Sequence, residues 1–341
     1  MDLLPSNTLV LTVYIFAFLT GLPSNLLAIY TFLLKVRQKA APIDILLLNL
    51  TISDIILLLF LPFKMVEAAS GMTWPLPDFL CPLTGFCYYS SIYISTLFLT
   101  AVSVERYLGV AYPIKYKLNR RPAYAVVASI FFWFLACSHC SIVYIVQYKV
   151  VDANETIPIP ANVSKCYDKF SSSQLSILLP VRLELCLSLF CLPFFITLFC
   201  YVNLIRILTS LPNIQARRKQ RAVGLAVATL LNFAICFAPY NISHIVGFIQ
   251  NESPPWRVYA LLLSTLNASL DPAIFYFSST AIQQTFAKCF ASLGRKLQNV
   301  MPRCYWQCLA CCDTEGENNG IDKSSISNMG ELANERIGSR R

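Results

Sequence analysis

The sequence predicts an all-α membrane protein, a bundle of seven transmembrane helices. Of its 341 residues, 56% are hydrophobic and 13% are charged, whereas a soluble domain carries about 25% charged residues. The apolar residues form long blocks, and each block can cross ~30 Å of hydrocarbon as a helix of about 20 residues. The seven blocks are Leu3–Leu34, Ile45–Phe63, Phe79–Val104, Pro122–Tyr148, Leu185–Ile205, Ala222–Asn251 and Val258–Ala287.

Basic residues mark one side of the predicted bundle. They follow the first, third, fifth and seventh blocks, so they lie on one side of the membrane if the helices alternate in direction. By the positive-inside rule this side is cytosolic, which places the N-terminus outside and the C-terminus inside, as in a multi-pass protein of the plasma membrane. The net charge of +9 therefore orients the protein in membrane lipid and does not indicate a nucleic-acid partner. The basic residues are Lys35, Arg37, Lys39, Lys115, Lys117, Arg120, Arg121, Arg206, Arg217, Arg218, Lys219, Arg221, Lys288, Arg295 and Lys296.

The same pattern gives the domain organisation. Residues 1–295 are predicted to form one seven-transmembrane domain that includes a short amphipathic helix after the seventh block. Residues 296–341 are predicted to form a polar cytoplasmic regulatory tail, which contains the phosphorylatable Ser324, Ser325 and Ser327. For the cysteines that begin this tail, palmitoylation, free thiols and a metal site all stay open. These cysteines are Cys304, Cys308, Cys311 and Cys312.

Two sequons lie in the long segment between the fourth and fifth blocks. Asn154-Glu-Thr and Asn162-Val-Ser fit an extracellular segment that carries glycans. Asn251 also begins a sequon, but it lies close to the membrane. Three further matches fall inside the blocks and are not expected to be modified: Asn49, Asn241 and Asn267.

Two of the fourteen cysteines are predicted to form a disulfide bond. Cys81 stands at the outer start of the third block and Cys166 in the long outer segment, so both face an oxidising compartment. Cys87, Cys137 and Cys140 are the competing partners, although each lies deeper in the membrane.

Polar and proline landmarks recur in order along the blocks. Glu105-Arg106-Tyr107 closes the third block, where a buried arginine needs a partner such as Glu105. Together with the other landmarks, this motif resembles class A (rhodopsin-like) receptors, and the resemblance implies roles in activation and G-protein coupling. Two positions depart from the class A pattern. Phe237, two residues before Pro239, stands where that class usually has tryptophan. Phe275, three residues after Pro272, stands where it usually has tyrosine, and Tyr276 follows it. The other landmarks are Asn25, Asp54, Trp133, Pro193, Tyr201, Pro239 and Asp271-Pro272.

Two aspartates lie at mid-membrane depth, which is an expensive position that often marks an ion or proton site. The class A resemblance implies that Asp54, Ser95, Asn267 and Asp271 bind a sodium ion that favours the inactive state. A hydrogen-bonded network with one protonated carboxyl is the alternative. No other cofactor is expected.

Three cationic or switchable side chains lie near the outer ends of the last three blocks. They are Arg182, His244 and Arg257. An arginine fork matches a carboxylate in bidentate fashion, and a histidine can donate from either ring nitrogen. In the structural alternative, Arg182 pairs only with Glu184, Arg257 snorkels to the membrane surface and His244 is a polar core residue. Convergence of all three predicts an anionic ligand.

Several segments closely resemble the short-chain free fatty acid receptors between about Tyr14 and Phe290. This resemblance implies that acetate, propionate or butyrate binds through Arg182, His244 and Arg257. Tyr89, Tyr144, Glu184 and Tyr240 would line the pocket. It also implies Gi/o as the G-protein partner, with Gq as a further option, and arrestin as a partner of the tail. The segments that carry it are Gly21–Leu27, Leu61–Ala69, Glu105–Ala111, Pro180–Leu185, Pro239–His244 and Leu266–Pro272.

Other function classes are less well supported by the residues. A retinal protein needs a lysine in the seventh span, and Val258–Ala287 contains none. A transporter would be expected to show an internal repeat or paired broken helices. An enzyme would need a catalytic set, which His139 and His244 do not supply. A receptor for a hydroxy acid remains the main alternative, while a dicarboxylate or nucleotide would need more cations than the sequence shows on the outside.

Overall fold

The protein is described by a computed structural model that covers residues 7–119, 121–148, 166, 170–210, 216–278, 282–285, 287, 288, 291, 292 and 295. The chain divides into two units, residues Met1–Thr285 and Phe286–Arg341. The predicted glycosylation sites Asn154 and Asn162, the cysteines from Cys304 to Cys312 and the tail lie outside the described residues.

Seven helices of the described part are long and apolar enough to cross a membrane, which confirms the predicted fold class. The described residues contain no strand. The helices are α1 Asn7–Lys39, α2 Pro42–Ala69, α3 Leu80–Ala111, α4 Pro122–Tyr148, α5 Ser172–Ser210, α6 Ala216–Gln250 and α7 Arg257–Ser278.

Helix α5 begins at Ser172 rather than at Leu185, where its apolar block begins. Charged side chains lower the hydropathy of this first part but do not prevent a helix. The N-terminus is closed by a capping box, because the Ser171 hydroxyl accepts from the Gln174 N–H at 3.2 Å and the Gln174 side chain accepts from the Ser171 N–H at 3.0 Å.

Four of the spans are interrupted. Helix α4 runs as Pro122–Cys140 and Ile142–Tyr148, and α7 as Arg257–Thr265 and Asn267–Ser278. Helices α5 and α6 each contain one wider π turn, a feature that often marks functional positions. The carbonyls at these turns accept hydroxyl donors from neighbouring helices. The turns are Leu187–Cys191 and Phe233–Phe237, and the bonds are Thr96 Oγ1 to Leu189 O at 2.8 Å and Ser264 Oγ to Cys236 O at 2.7 Å.

Helix α3 occupies the centre of the bundle, since 78% of its apolar window is buried compared with 28% for α1 and α4. The outward face of α4 is correspondingly apolar: Val127, Ile130 and Phe134 are 65%, 66% and 71% exposed. Their spacing of three and four residues places them on one helical face. Such a surface is stable against lipid and would be costly in water.

The predicted disulfide between Cys81 and Cys166 is present, with an S–S distance of 2.11 Å. The competing cysteines Cys87, Cys137 and Cys140 are free thiols. The end of the bundle that carries this bond is called the disulfide end below. The opposite end, where Arg106 lies in the last two turns of α3, is called the Arg106 end, and there the short helix Pro113–Asn119 leads from α3 to α4.

Candidate functional site

Two arginines and a histidine from three helices lie together at the disulfide end. Arg182 on α5, His244 on α6 and Arg257 on α7 are only 4%, 1% and 7% exposed. Both guanidinium groups are close enough to the imidazole of His244 to interact with it electrostatically. Because burying like charges together is expensive, this arrangement is typical of a binding site for an anion.

Arg257 is held against two tyrosines. Its Nη2 donates a hydrogen bond to the Tyr240 hydroxyl at 3.0 Å, and its guanidinium carbon lies 5.7 Å and 5.2 Å from the ring centres of Tyr89 and Tyr240. The two rings are themselves stacked, 6.1 Å apart with an interplanar angle of 6°. Cation–π contacts of this kind fix the guanidinium, and the rings supply an apolar wall beside it.

Arg182 and His244 are also fixed by polar and aromatic neighbours. Arg182 Nη1 donates to the Ser253 hydroxyl at 2.8 Å, and its guanidinium carbon lies 5.2 Å from the Phe170 ring. His244 Nε2 lies 3.0 Å from the Tyr93 hydroxyl. Its Nδ1 is buried and has no hydrogen-bond partner among the described residues. This ring nitrogen is the one through which the histidine can reach a ligand.

Two further charged residues lie beside this group and are not singled out by the sequence reasoning. Lys64 and Glu67, at the disulfide end of α2, line a cavity of about 130 Å³ together with Arg257 and Tyr89. The signal that could have found them is their i,i+3 spacing just beyond the end of the second apolar block, where charged side chains on one helical face pair readily. Lys64 is thus an additional cation at this end.

One predicted pocket residue, Glu184, is not brought into this group. The Glu184 carboxylate lies 3.4 Å from Nε2 of His139 and accepts from the Ser188 hydroxyl at 2.7 Å, and its side chain is 46% exposed on the surface of α4 and α5. Tyr144 packs against the Phe86 ring at 5.7 Å, beyond the break in α4.

Replacing Glu184 with glutamine is therefore expected to change the response to the ligand by no more than about twofold, as for a surface substitution away from the site. The measurement is a concentration–response curve for the variant and for the unmodified protein at matched surface expression. A large loss of potency would instead place Glu184 in the ligand pocket.

At the Arg106 end, the residues of the predicted coupling motif contact different partners. The Glu105 carboxylate accepts a hydrogen bond from the Tyr116 hydroxyl. Arg106 interacts electrostatically with Tyr201, whose hydroxyl lies 3.1 Å from that of Thr229 on α6. These contacts connect the end of α3 to α5 and α6.

Tyr107 faces α5, its ring centre 5.9 Å from that of Phe199. The two departures from the class A pattern are both buried phenylalanines. Phe237, two residues before Pro239, packs against Phe233 with ring centres 5.6 Å apart. Phe275, three residues after Pro272, faces inward against Phe32 at 5.7 Å, whereas Tyr276 is 44% exposed. Both departures thus place an apolar ring in the packed core.

A polar cluster lies midway along the bundle. Asp54, Ser95, Asn267 and Asp271 are all fully buried. The two carboxyl groups interact directly, and Asn232 Nδ2 donates to Asp271 Oδ1 at 2.6 Å. Among the described residues, several of the oxygens have no hydrogen-bond partner, namely Asp54 Oδ1 and Oδ2, Ser95 Oγ, Asn267 Oδ1 and Asp271 Oδ2.

Comparison with known proteins agrees with these features. Residues 24–275 match the 7 transmembrane receptor (rhodopsin family). The chain is 54% identical over 283 residues to free fatty acid receptor 2 of Rattus norvegicus, covering 83% of this chain and 85% of the relative. It is 52% identical over 298 residues to free fatty acid receptor 2 of Homo sapiens (87% and 89%), and 51% identical over 291 residues to free fatty acid receptor 3 of Mus musculus (85% and 88%). The chain therefore belongs to the rhodopsin family of seven-transmembrane receptors, within the group of the free fatty acid receptors, and is a multi-pass plasma-membrane receptor rather than an enzyme.

Proposed function

We propose that the chain is a G protein-coupled receptor for short-chain fatty acid anions such as acetate, propionate and butyrate. The observation that carries this proposal is the meeting of Arg182, His244 and Arg257, all buried, at one end of the bundle. The names of the relatives support it.

Different side chains bind the carboxylate and the acyl tail of the ligand. Short-chain acids have pKa values close to those of Asp and Glu, so they are ionised at neutral pH. Arg182 and Arg257 hold the carboxylate, and His244 Nδ1 adds a hydrogen bond. The acyl tail lies against Tyr89 and Tyr240. A short tail contributes only ~0.8 kcal/mol for each buried CH₂, so the charged contacts dominate a weak affinity.

Binding connects α5, α6 and α7 at the disulfide end, which we place outside the cell. Because each helix supplies one ligand contact, the ligand stabilises the arrangement in which these ends are close and shifts the equilibrium toward an open Arg106 end. The G protein engages there, near Arg106. We propose Gi/o as the partner, with Gq as a further route and arrestin recruited by the phosphorylated tail.

The test is inhibition of cAMP production in cells that express the chain, dosed with acetate, propionate and butyrate. Arg182→Ala is expected to raise the required concentration at least tenfold, because a hydrogen bond to a charged group contributes about 1.5–3 kcal/mol. Arg182→Lys is the matched variant: it keeps the charge but loses the fork, and should retain part of the response. A surface-expressed chain that responds to none of the three acids through either Gi/o or Gq would exclude this function. An unchanged Arg182→Ala variant would exclude the proposed carboxylate site.

We also propose that the polar cluster holds a sodium ion. Hard cations take oxygen ligands, and the partnerless buried oxygens of Asp54, Ser95, Asn267 and Asp271 fit such an ion. The ion would supply a positive charge that stabilises the two carboxylates and, with them, the inactive arrangement of α2, α3 and α7.

A further inference from the structure

A charged pair on α2 borders the ligand site without a role in the contacts above. Lys64 and Glu67 line the cavity of about 130 Å³ at the disulfide end, and Arg257 lines it from α7. Ser253, which accepts a hydrogen bond from Arg182 at 2.8 Å, also lines it. The pair therefore faces the same space as Arg257, and Ser253 connects this space to Arg182.

Both carboxylate oxygens of Glu67 are engaged. Oε2 accepts a hydrogen bond from Lys64 Nζ at 2.9 Å, and Oε1 accepts one from the backbone N–H of Cys166 at 3.2 Å. The side chains of Lys64 and Glu67 are only 14% and 7% exposed. Glu67 therefore neutralises the charge of Lys64 within the cavity. Removing Glu67 would leave that charge uncompensated, as for any buried ion pair that loses one member.

This pairing sets the charge that the cavity accepts. With Lys64 balanced by Glu67, the ligand is selected by Arg182 and Arg257, which together suit one carboxylate. A second carboxylate that reached toward Lys64 would meet the like charge of Glu67, and a repulsive element of this kind is a common source of specificity.

We propose that Glu67 restricts the receptor to ligands with one carboxylate, and that Lys64 is a latent second carboxylate site. Without the charge of Glu67, a four-carbon dicarboxylate would bind with one carboxylate at the arginines and the other at Lys64. This inference deepens the proposed function and rests on it.

Glu67 also has a structural role, because it connects α2 to the segment that carries the disulfide. Glutamine is the variant that separates the two roles. Its side-chain carbonyl can still accept the N–H of Cys166, while its amide no longer neutralises Lys64. A second substitution, Lys64→Met, then removes the uncovered charge and keeps the length of the side chain.

The experiment compares succinate and propionate as agonists in the cAMP assay, at matched surface expression, on the unmodified receptor, Glu67→Gln and the double variant Glu67→Gln/Lys64→Met. For Glu67→Gln, the half-maximal succinate concentration is expected to fall at least about tenfold, while the propionate response persists. In the double variant the gain for succinate is expected to disappear, again with the propionate response retained.

The outcomes distinguish failure of the inference about Glu67 from failure of the proposed function. A succinate gain that depends on Lys64 supports the inference. A normal propionate response without a succinate gain in Glu67→Gln, or a gain that survives Lys64→Met, overturns the inference and leaves the proposed function standing. An unmodified receptor that does not respond to propionate contradicts the proposed function, and the inference fails with it.

Discussion

Replacing Gly224 with alanine is expected to raise signalling in the absence of ligand. The substitution should shift the equilibrium between the closed and the open receptor toward the open one by roughly 5- to 150-fold. A Cβ atom at this position on α6 would lie 2.6 Å from Cδ1 and Cε1 of Phe277 on α7, well inside contact distance. Overpacking of this kind costs about 1–3 kcal/mol, and the cost falls on the arrangement of this structure, in which the two helices touch. We assign this arrangement to the closed receptor. Movement of α6 away from α7 removes the cost.

The measurement is basal cAMP inhibition at matched surface expression, with two comparisons. Gly109→Ala is the matched control, since a Cβ there would lie 3.6 Å from its nearest neighbour, Tyr116, which is an ordinary contact. Adding Phe277→Ala to Gly224→Ala removes the clash and should return basal signalling to normal. Unchanged basal signalling in Gly224→Ala would show that the Phe277 ring turns aside and that this contact does not hold α6 closed.

Most of the fold could be predicted from the sequence because hydropathy determines which segments enter a membrane. The residues at which the helices begin and end were harder to predict. Arg182 and Glu184 lower the hydropathy at the start of α5, yet the Ser171 capping box begins the helix well before them. Hydropathy measures transfer into lipid and is insensitive to such local hydrogen bonds.

The candidate site was predictable in part. Arg182, His244 and Arg257 stand near the outer ends of consecutive helices, so their convergence follows from topology. Glu184 illustrates the limit: it is two residues from Arg182, or about 200° around a helix, and it points toward His139 instead. The i,i+3 spacing of Lys64 and Glu67 allows their pairing to be predicted. The contact of Glu67 with Cys166 depends on how α2 is rotated in the bundle, which periodicity alone does not specify.

The inward residue of the seventh helix was also beyond sequence reasoning. Phe275 and Tyr276 are adjacent, and either could face the core after Pro272. The structure buries Phe275 against Phe32 and leaves Tyr276 44% exposed. The apolar ring gains from burial, while a buried tyrosine hydroxyl would need a hydrogen-bond partner.

Replacing sodium with choline is expected to raise the agonist affinity of the unmodified receptor by about 5- to 150-fold, the usual range for coupling between two sites. In the proposed scheme, sodium favours the closed state and the agonist the open state, so each weakens the binding of the other. In Asp54→Asn the difference between the two salts should disappear, because the amide keeps the shape of the side chain but not the charge that attracts the ion.

Asp78→Asn provides the control, since Asp78 is an exposed residue at the disulfide end, whereas the cluster is buried midway along the bundle. A second readout needs no agonist: sodium that binds only the folded receptor stabilises it according to its concentration relative to Kd. The purified, unmodified receptor should therefore melt at a higher temperature in sodium chloride than in choline chloride, and Asp54→Asn should melt at the same temperature in both. Equal melting of the unmodified receptor in the two salts would favour the alternative, in which the buried carboxyls of Asp54 and Asp271 share a proton and form a purely structural network.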